Sequence, residues 1–327
     1  MSDRSGLLDE LASMISDYRE GEINRPTPAR VDRWIRQFPE NAQVPMLREL
    51  NHVLKETYYT GASVLAFIES LIGHEKIVGA DPIAFWRAST VLNIQRGGHS
   101  QNDMLEILET ALTAKYGLTL ADCAGTGPTY VYIDDGLYSG SRITDDLRNW
   151  IEKDAPGEAS VIVIVIAGHT YGEFITKRRL RDAAELAGKS IQFNFLATRW
   201  FENRKARRDA SDVLWPTELP DDEAVGDYLA IPSKFPFEPR PAGGPLGVFS
   251  SEPARQLLER ELLIVGARIR EAYANPTPSM RPLGYSSFGL GFGTLVVMHR
   301  NCPNNAPLPL WWGLDEWYPL FPRKVHG

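Results

Sequence analysis

The sequence predicts an α/β fold built on a parallel sheet flanked by helices, and three observations predict it. From about residue 89, strand-type and helix-type segments alternate. The run from Val161 to Ala167 is continuously apolar, as in a strand covered on both faces. Two of the strand ends pass into small-residue loops that lead straight into helices with one apolar face.

Residues 1–88 read as a mostly helical N-terminal extension. Leu7, Leu8, Leu11 and Ile15 share one helix face, and Val64, Leu65, Phe67, Ile68, Leu71 and Ile72 make a second apolar helix. Trp34, Tyr58, Tyr59 and Trp86 are expected to pack rather than to stack on a ligand. Residues 89–327 are expected to form one α/β domain. Its strands lie near 91–95, 129–134, 160–167 and 191–196, separated by helices near 102–115, 141–153 and 172–187. Residues 232–246, with Pro232, Pro236, Pro239, Pro241 and Pro245, read as an irregular connection inside that domain. A helix near 252–274, a strand around Thr294 to His299 and a C-terminal cap complete it.

Ligands of such sheets bind beyond the carboxyl ends of the strands, and the chemistry-bearing residues gather there. Val131-Tyr132-Ile133 runs into Asp134-Asp135, followed by Gly136, Leu137, Tyr138, Ser139, Gly140, Ser141 and Arg142. Paired acids can hold ribose hydroxyls, while loop amides and the next helix N-terminus can hold a phosphate. The next helix presents Ile143, Leu147, Trp150 and Ile151 on one face. An ordinary turn built from Asp-Asp-Gly accounts for the same residues without a ligand. An earlier junction places Arg96, Gly97, Gly98 and His99 between the strand at 91–95 and a helix with Met104, Leu105, Leu108, Ala111 and Leu112 on one face. Its glycines allow close approach to an anion and Arg96 supplies fixed positive charge. His99 suits either acid–base work or a structural hydrogen bond. The third strand end, Ala167-Gly168-His169-Thr170-Tyr171-Gly172, fits either a cleft wall or a simple loop.

Two successive anion loops, one carrying paired acids, make the chain resemble the type I phosphoribosyltransferases. The resemblance implies that Asp134, Asp135 and the loop Gly136 to Ser141 grip the ribose and 5-phosphate of phosphoribosyl pyrophosphate or a related nucleotide, and that Arg96 to His99 grip the pyrophosphate. It also implies Mg²⁺ held with Asp134 and Asp135, catalytic roles for Asp134, Asp135 and Arg96, and transfer of a ribosyl-phosphate group. The family's loop usually carries two threonines before its glycine, where Tyr138 and Ser139 stand here, and Arg142 replaces a later small hydroxyl residue. The interval between the two loops is short for the family's catalytic hairpin.

A wider set of features covers nearly the whole chain: Val31-Asp32-Arg33-Trp34-Ile35-Arg36-Gln37-Phe38, Gln95 to Met104, the Asp-Asp loop, and Asn301-Cys302-Pro303-Asn304-Asn305-Ala306-Pro307-Leu308-Pro309-Leu310-Trp311-Trp312 followed by Pro319 to Arg323. In these the chain is similar to the phosphoribosyltransferase-like proteins of bacterial conflict and anti-phage defence operons. That implies a type I phosphoribosyltransferase-like parallel sheet flanked by helices, with an N-terminal helical extension and a C-terminal hood-like segment, acting beside operon partners. His169, Asn301, Asn304, Asn305 and Trp312 are the residues expected to meet an acceptor base or partner, since amides read donor–acceptor patterns. A turn satisfied by its own Asn side chains is the competing expectation.

Composition sets outer limits. The chain has 327 residues, 43% hydrophobic and 24% charged, as a soluble enzyme would. A net charge of -7 gives no broad nucleic-acid footprint. The clusters Lys177-Arg178-Arg179-Leu180-Arg181 and Arg204-Lys205-Ala206-Arg207-Arg208 are interleaved with Glu173, Asp182 and Glu202, so a solvated surface is expected, with phosphate or RNA contact as the alternative. Cys123 and Cys302 are far apart and form neither a disulfide framework nor a zinc motif. The opening residues lack the order of a secretory signal, and Val161 to Ala167 is too short to span a bilayer, so a cytoplasmic protein is expected. Two further functional classes stay open. One is a catalytically silent nucleotide sensor that controls an operon partner. The other is a hydrolase using Ser286 or Ser287 in Gly284-Tyr285-Ser286-Ser287-Phe288-Gly289, although neither serine has glycines at both nucleophile-elbow positions.

Overall fold

A computed structural model describes residues 4–285, 288–313 and 317–324. The pair Ser286 and Ser287 lies outside the described residues. The chain divides into two compact units, one comprising Ala62–Phe201 and the other Met1–Gly61 with Glu202–Gly327.

The first unit contains an all-parallel sheet. Its strands are Thr90–Val91, Thr129–Leu137, Glu158–His169 and Ser190–Leu196 in that order, and Arg199–Phe201 pairs the far end of Glu158–His169. The connections are the helices Ser100–Tyr116, Ser141–Lys153 and Thr170–Leu186. The alternation read from the sequence is therefore present, and a mixed α/β fold with a parallel sheet flanked by helices is what forms. Val161, Val163 and Val165 pack with Leu147, Trp150, Ile151 and Leu180, which explains the uninterrupted apolar run: both faces of this strand are covered.

Two details differ from expectation. The first strand is only Thr90–Val91, because the amides of Ile94 and Gln95 bond to the Gln101 side chain (2.9 and 2.8 Å) rather than to a neighbouring strand. The acids also lie within their strand and not at its end, since pairing continues through Gly136↔Ala167 and Leu137↔Gly168.

The unit boundaries fall at 61/62 and 201/202, whereas a partition at 88/89 was expected. Residues 62–88 are tied to the sheet unit by specific bonds. Tyr116 Oη donates to the Ile72 carbonyl (3.4 Å), Gly127 N donates to Ala88 O (3.1 Å), and a Cβ at Gly125 would lie 2.4 Å from the Ala88 backbone. The expected packing role of Trp34 and Trp86 is seen, both being fully buried, with Tyr58 nearly so.

The other unit is mainly helical, with Arg4–Met14, Pro28–Ile35, Glu40–Thr57, Glu223–Ala230 and Glu252–Ala272 its principal helices. Tyr58–Tyr59 and Val297–Met298 form a two-residue parallel ladder. Trp34 Nε1 donates to Pro309 O (2.9 Å) and Gln37 exchanges two bonds with the Tyr318 backbone, which fastens the terminal segment to the early helices. Among the described residues no helix is long and apolar enough to cross a membrane.

Candidate active site

The acids and the glycine loop meet at the C-terminal side of the sheet. Asp134 is only 1% exposed and accepts from the Asp135 amide (2.8 Å) and from the Ser100 hydroxyl. Ser100 in turn accepts from Gln95 Nε2 (2.9 Å), so a short relay joins the acid to the stem of the Arg96 loop. A second link runs through the helix Ser141–Lys153. Arg142 donates to the carbonyl of Gly97, and Asp146 Oδ1 accepts from the Arg96 amide (3.3 Å) while its Oδ2 accepts from Tyr132 (3.1 Å). Arg96, Gly97, Gly98 and His99 are all exposed, and His99 precedes the first turn of its helix without a side-chain cap bond.

Local backbone chemistry makes the phosphate-type loop narrow. Gly140 is left-handed (φ 75°), and a Cβ there would fall 1.9 Å from Thr176 Oγ1. Gly172 faces the loop from the next helix, where a Cβ would lie 2.0 Å from Tyr138 O. The helix beginning at Ser141 has a glycine N-cap and so no side-chain cap bond, and its Ser141 amide donates to Ser139 Oγ (3.5 Å). Tyr138 folds back over Gly136, whose Cβ would meet the ring at 2.8 Å. Leu137 is buried and serves the core.

Burial dominates the electrostatics. Both Asp134 and Asp135 are pushed above the ordinary carboxylate range, Asp134 by desolvation and Asp135 by desolvation together with the adjoining Asp134 charge. Asp146 is raised as well, chiefly by burial. His169 is 1% exposed, between the rings of Tyr138 (5.6 Å) and Phe201 (5.8 Å), and burial pushes it down to about 3. It is a neutral core histidine at physiological pH.

The residues expected to form a hood belong to the other compact unit. Asn305 Nδ2 donates to Tyr285 O (2.6 Å), and Asn301 bonds the Lys324 backbone through both its amide atoms (3.3 and 3.1 Å). These side chains fasten segments 20 and 23 residues apart in sequence. Asn304 contributes its carbonyl to the Tyr285 amide (2.6 Å).

Asp146 and Gln101 were missed in the sequence although both carried a signal. Asp146 sits three residues after Ile143 and four before Trp150, and Gln101 sits three before Met104 and four before Leu105, so each is a polar residue on an apolar stripe. The burial of each, 4% and 0%, confirms the placement. Gln101 Oε1 accepts from two loop-stem amides, and its Nε2 is buried with no acceptor among the described residues.

Searches of curated proteins and of solved structures return no match. The PRTase-CE family model matches residues 31–323, which take in both loops, the sheet and the terminal segment. On that extent the chain belongs to the PRTase-CE family of phosphoribosyltransferase-like proteins.

Proposed function

We propose that the chain binds phosphoribosyl pyrophosphate, or a closely related nucleotide, where the Arg96 loop meets the Asp134–Arg142 segment, and that it transfers the ribosyl-phosphate group. The observation that carries this reading is the double linkage of the loops, Arg142 to Gly97 and Asp146 to Arg96, with Asp134 bonded to Ser100. One ligand with a phosphate at one end and a diphosphate at the other fits two adjacent cradles.

The donor set suits Mg²⁺. Two adjoining carboxyls, both raised by burial and Asp135 also by the charge of Asp134, gain from a hard divalent cation or from hydroxyl donors. Among the described residues no cluster of three or more acidic, His or Cys side chains converges on a metal, so Asp134 and Asp135 would share such an ion with ligand oxygens and water. When bound, the ion would neutralise pyrophosphate as it departs. The protein's own contribution is to place charge. Asp134 and Asp135 orient the ribose hydroxyls and offset the positive character that develops at the anomeric carbon. Arg96 and the Gly97 and Gly98 amides stabilise the leaving diphosphate. The first-turn amides of the helix starting at Ser141 hold the 5-phosphate.

The decisive assay is Mg²⁺-dependent consumption of phosphoribosyl pyrophosphate, followed as pyrophosphate release with a panel of bases as acceptors. Wild type should turn over and Asp135→Asn should not; equal turnover by both overturns the assignment. Tight calorimetric binding without product favours the second reading, a nucleotide sensor. That reading draws on the Arg142 guanidinium lying against Gly97 and Gly98 and on Tyr138 covering Gly136, which narrow both cradles. The defence role and its protein partners rest on the resemblance of the chain. Protection of cells from phage by the intact operon, lost with Asp135→Asn, is the expected result.

A further inference from the structure

A second cavity lies wholly within the helical unit, about 530 Å³ in volume, between the helix Glu223–Ala230, the Pro-rich segment that follows it, and Arg270, Pro278, Arg281 and Gly289. That size falls in the range of small-molecule sites. The segment from Ile231 to Phe237 was expected only to connect elements, yet it is seated firmly. Gly289 is the seat: a Cβ there would lie 2.8 Å from Phe235 O and from Phe237 N, and its carbonyl accepts from Tyr228 Oη (2.8 Å) and Arg281 Nη1 (2.6 Å). Arg270 is fixed too, by Nε to Met280 O (2.8 Å) and by its guanidinium 5.1 Å from the Tyr228 ring centroid.

Charge on the described lining has one sign. Lys234, Arg270 and Arg281 face the cavity and no carboxylate does. Neither arginine has a carboxylate partner among the described residues, and Arg281 Nε is buried without any hydrogen-bond partner. This is unlike Arg240 and Arg255 of the same unit, which are each bonded to Glu259. Around the cations stand apolar groups left unusually exposed: Leu219 at 41%, Ile231 at 44% and Phe235 at 44%. Unpaired guanidiniums set in an apolar and aromatic wall match a ligand with an anionic head and a flat apolar body.

We infer that this cavity is a second ligand site, for a small organic anion with an aromatic body, whose carboxylate, phosphate or sulfonate head sits on Arg270 and Arg281 while its ring lies against Phe235, Ile231 and Leu219. It is separate from the Asp134–Arg142 site and does not depend on that reading. The test is fluorescence titration of the full chain with 1-anilinonaphthalene-8-sulfonate, beside the uncharged N-phenyl-1-naphthylamine and inorganic phosphate. Wild type should show one saturable sulfonate site, with weaker binding of either fragment of that chemistry. An Arg270→Gln, Arg281→Gln double variant should bind the sulfonate about ten-fold more weakly, the loss expected for charge-assisted hydrogen bonds, and bind the neutral ring unchanged. Because both arginines also hold backbone, Lys234→Glu is the second arm: among the described residues it removes no hydrogen bond, only a contact 6.0 Å from the Phe235 ring centroid, and it should weaken the sulfonate several-fold. Asp134→Asn should leave sulfonate binding intact. Unchanged affinity in Lys234→Glu, equal affinity for the neutral ring and the sulfonate, or displacement by an acidic peptide but not by small aromatic anions overturns the inference.

Discussion

The two compact units treat buried charge in opposite ways. In the helical unit Glu259 accepts from Arg255 (2.8 Å) and Arg240 (3.3 Å), and Arg240 also bonds Glu252 (2.8 Å), so carboxylates and guanidiniums cancel one another. In the sheet unit Asp134, Asp135 and Asp146 crowd together with the Arg142 guanidinium bonded into the glycine loop, and all three acids are raised. Paired charge fixes architecture, whereas like charge gathered between a strand and the helix that follows it is held at a cost that a ligand can relieve.

The comparison is broken or sharpened by four substitutions. Glu259→Ala should have the largest effect, about 3–5 kcal/mol lost in chemical denaturation, because Arg255 is left buried without its carboxylate and Arg240 keeps only Glu252. Gly172→Ala should cost about 1–3 kcal/mol through the clash with Tyr138 O, and binding of phosphoribosyl pyrophosphate by calorimetry should fall with it. Asp134→Asn should move the other way and stabilise by about 0.5–2 kcal/mol, since the amide oxygen keeps the Asp135 bond while the buried charge is removed. A denaturation midpoint lower than wild type would show that the acid cluster is structural. His169→Phe should differ least at neutral pH. With a folded-state value near 3, below the unfolded 6.5, His169 contributes stability that is fully present above about pH 6.5 and lost as pH falls from there. The variant's melting temperature should therefore decline less between neutral and mildly acidic pH.

Much of the sheet unit was legible because periodicity and burial coincide there. The run Val161 to Ala167 could be nothing but a covered strand, and the stripe Ile143, Leu147, Trp150, Ile151 anchors the helix that follows the acids. What stayed hidden depends on side chains bonding distant backbone. Gln101 takes the amides that would have lengthened the first strand, and Tyr116 and Gly127 join residues 62–88 to the sheet unit across a gap in sequence. The asparagines of the terminal run looked like base-reading groups, but Asn301 and Asn305 bond distant backbone, at Lys324 and Tyr285. Acids and glycines announced the site, while Asp146 was concealed by the apolar face on which it stands.

Gly140 and Gly172 bring one helix start within contact distance of the next, so the bore of the loop between them is set by main chain together with the Thr176 hydroxyl. Such a ring tolerates changing ornament but not a change of gauge. If codons 138, 139, 140 and 172 were randomised together and folded survivors sequenced, Tyr138 and Ser139 should return as many residue types, whereas 140 and 172 should return glycine.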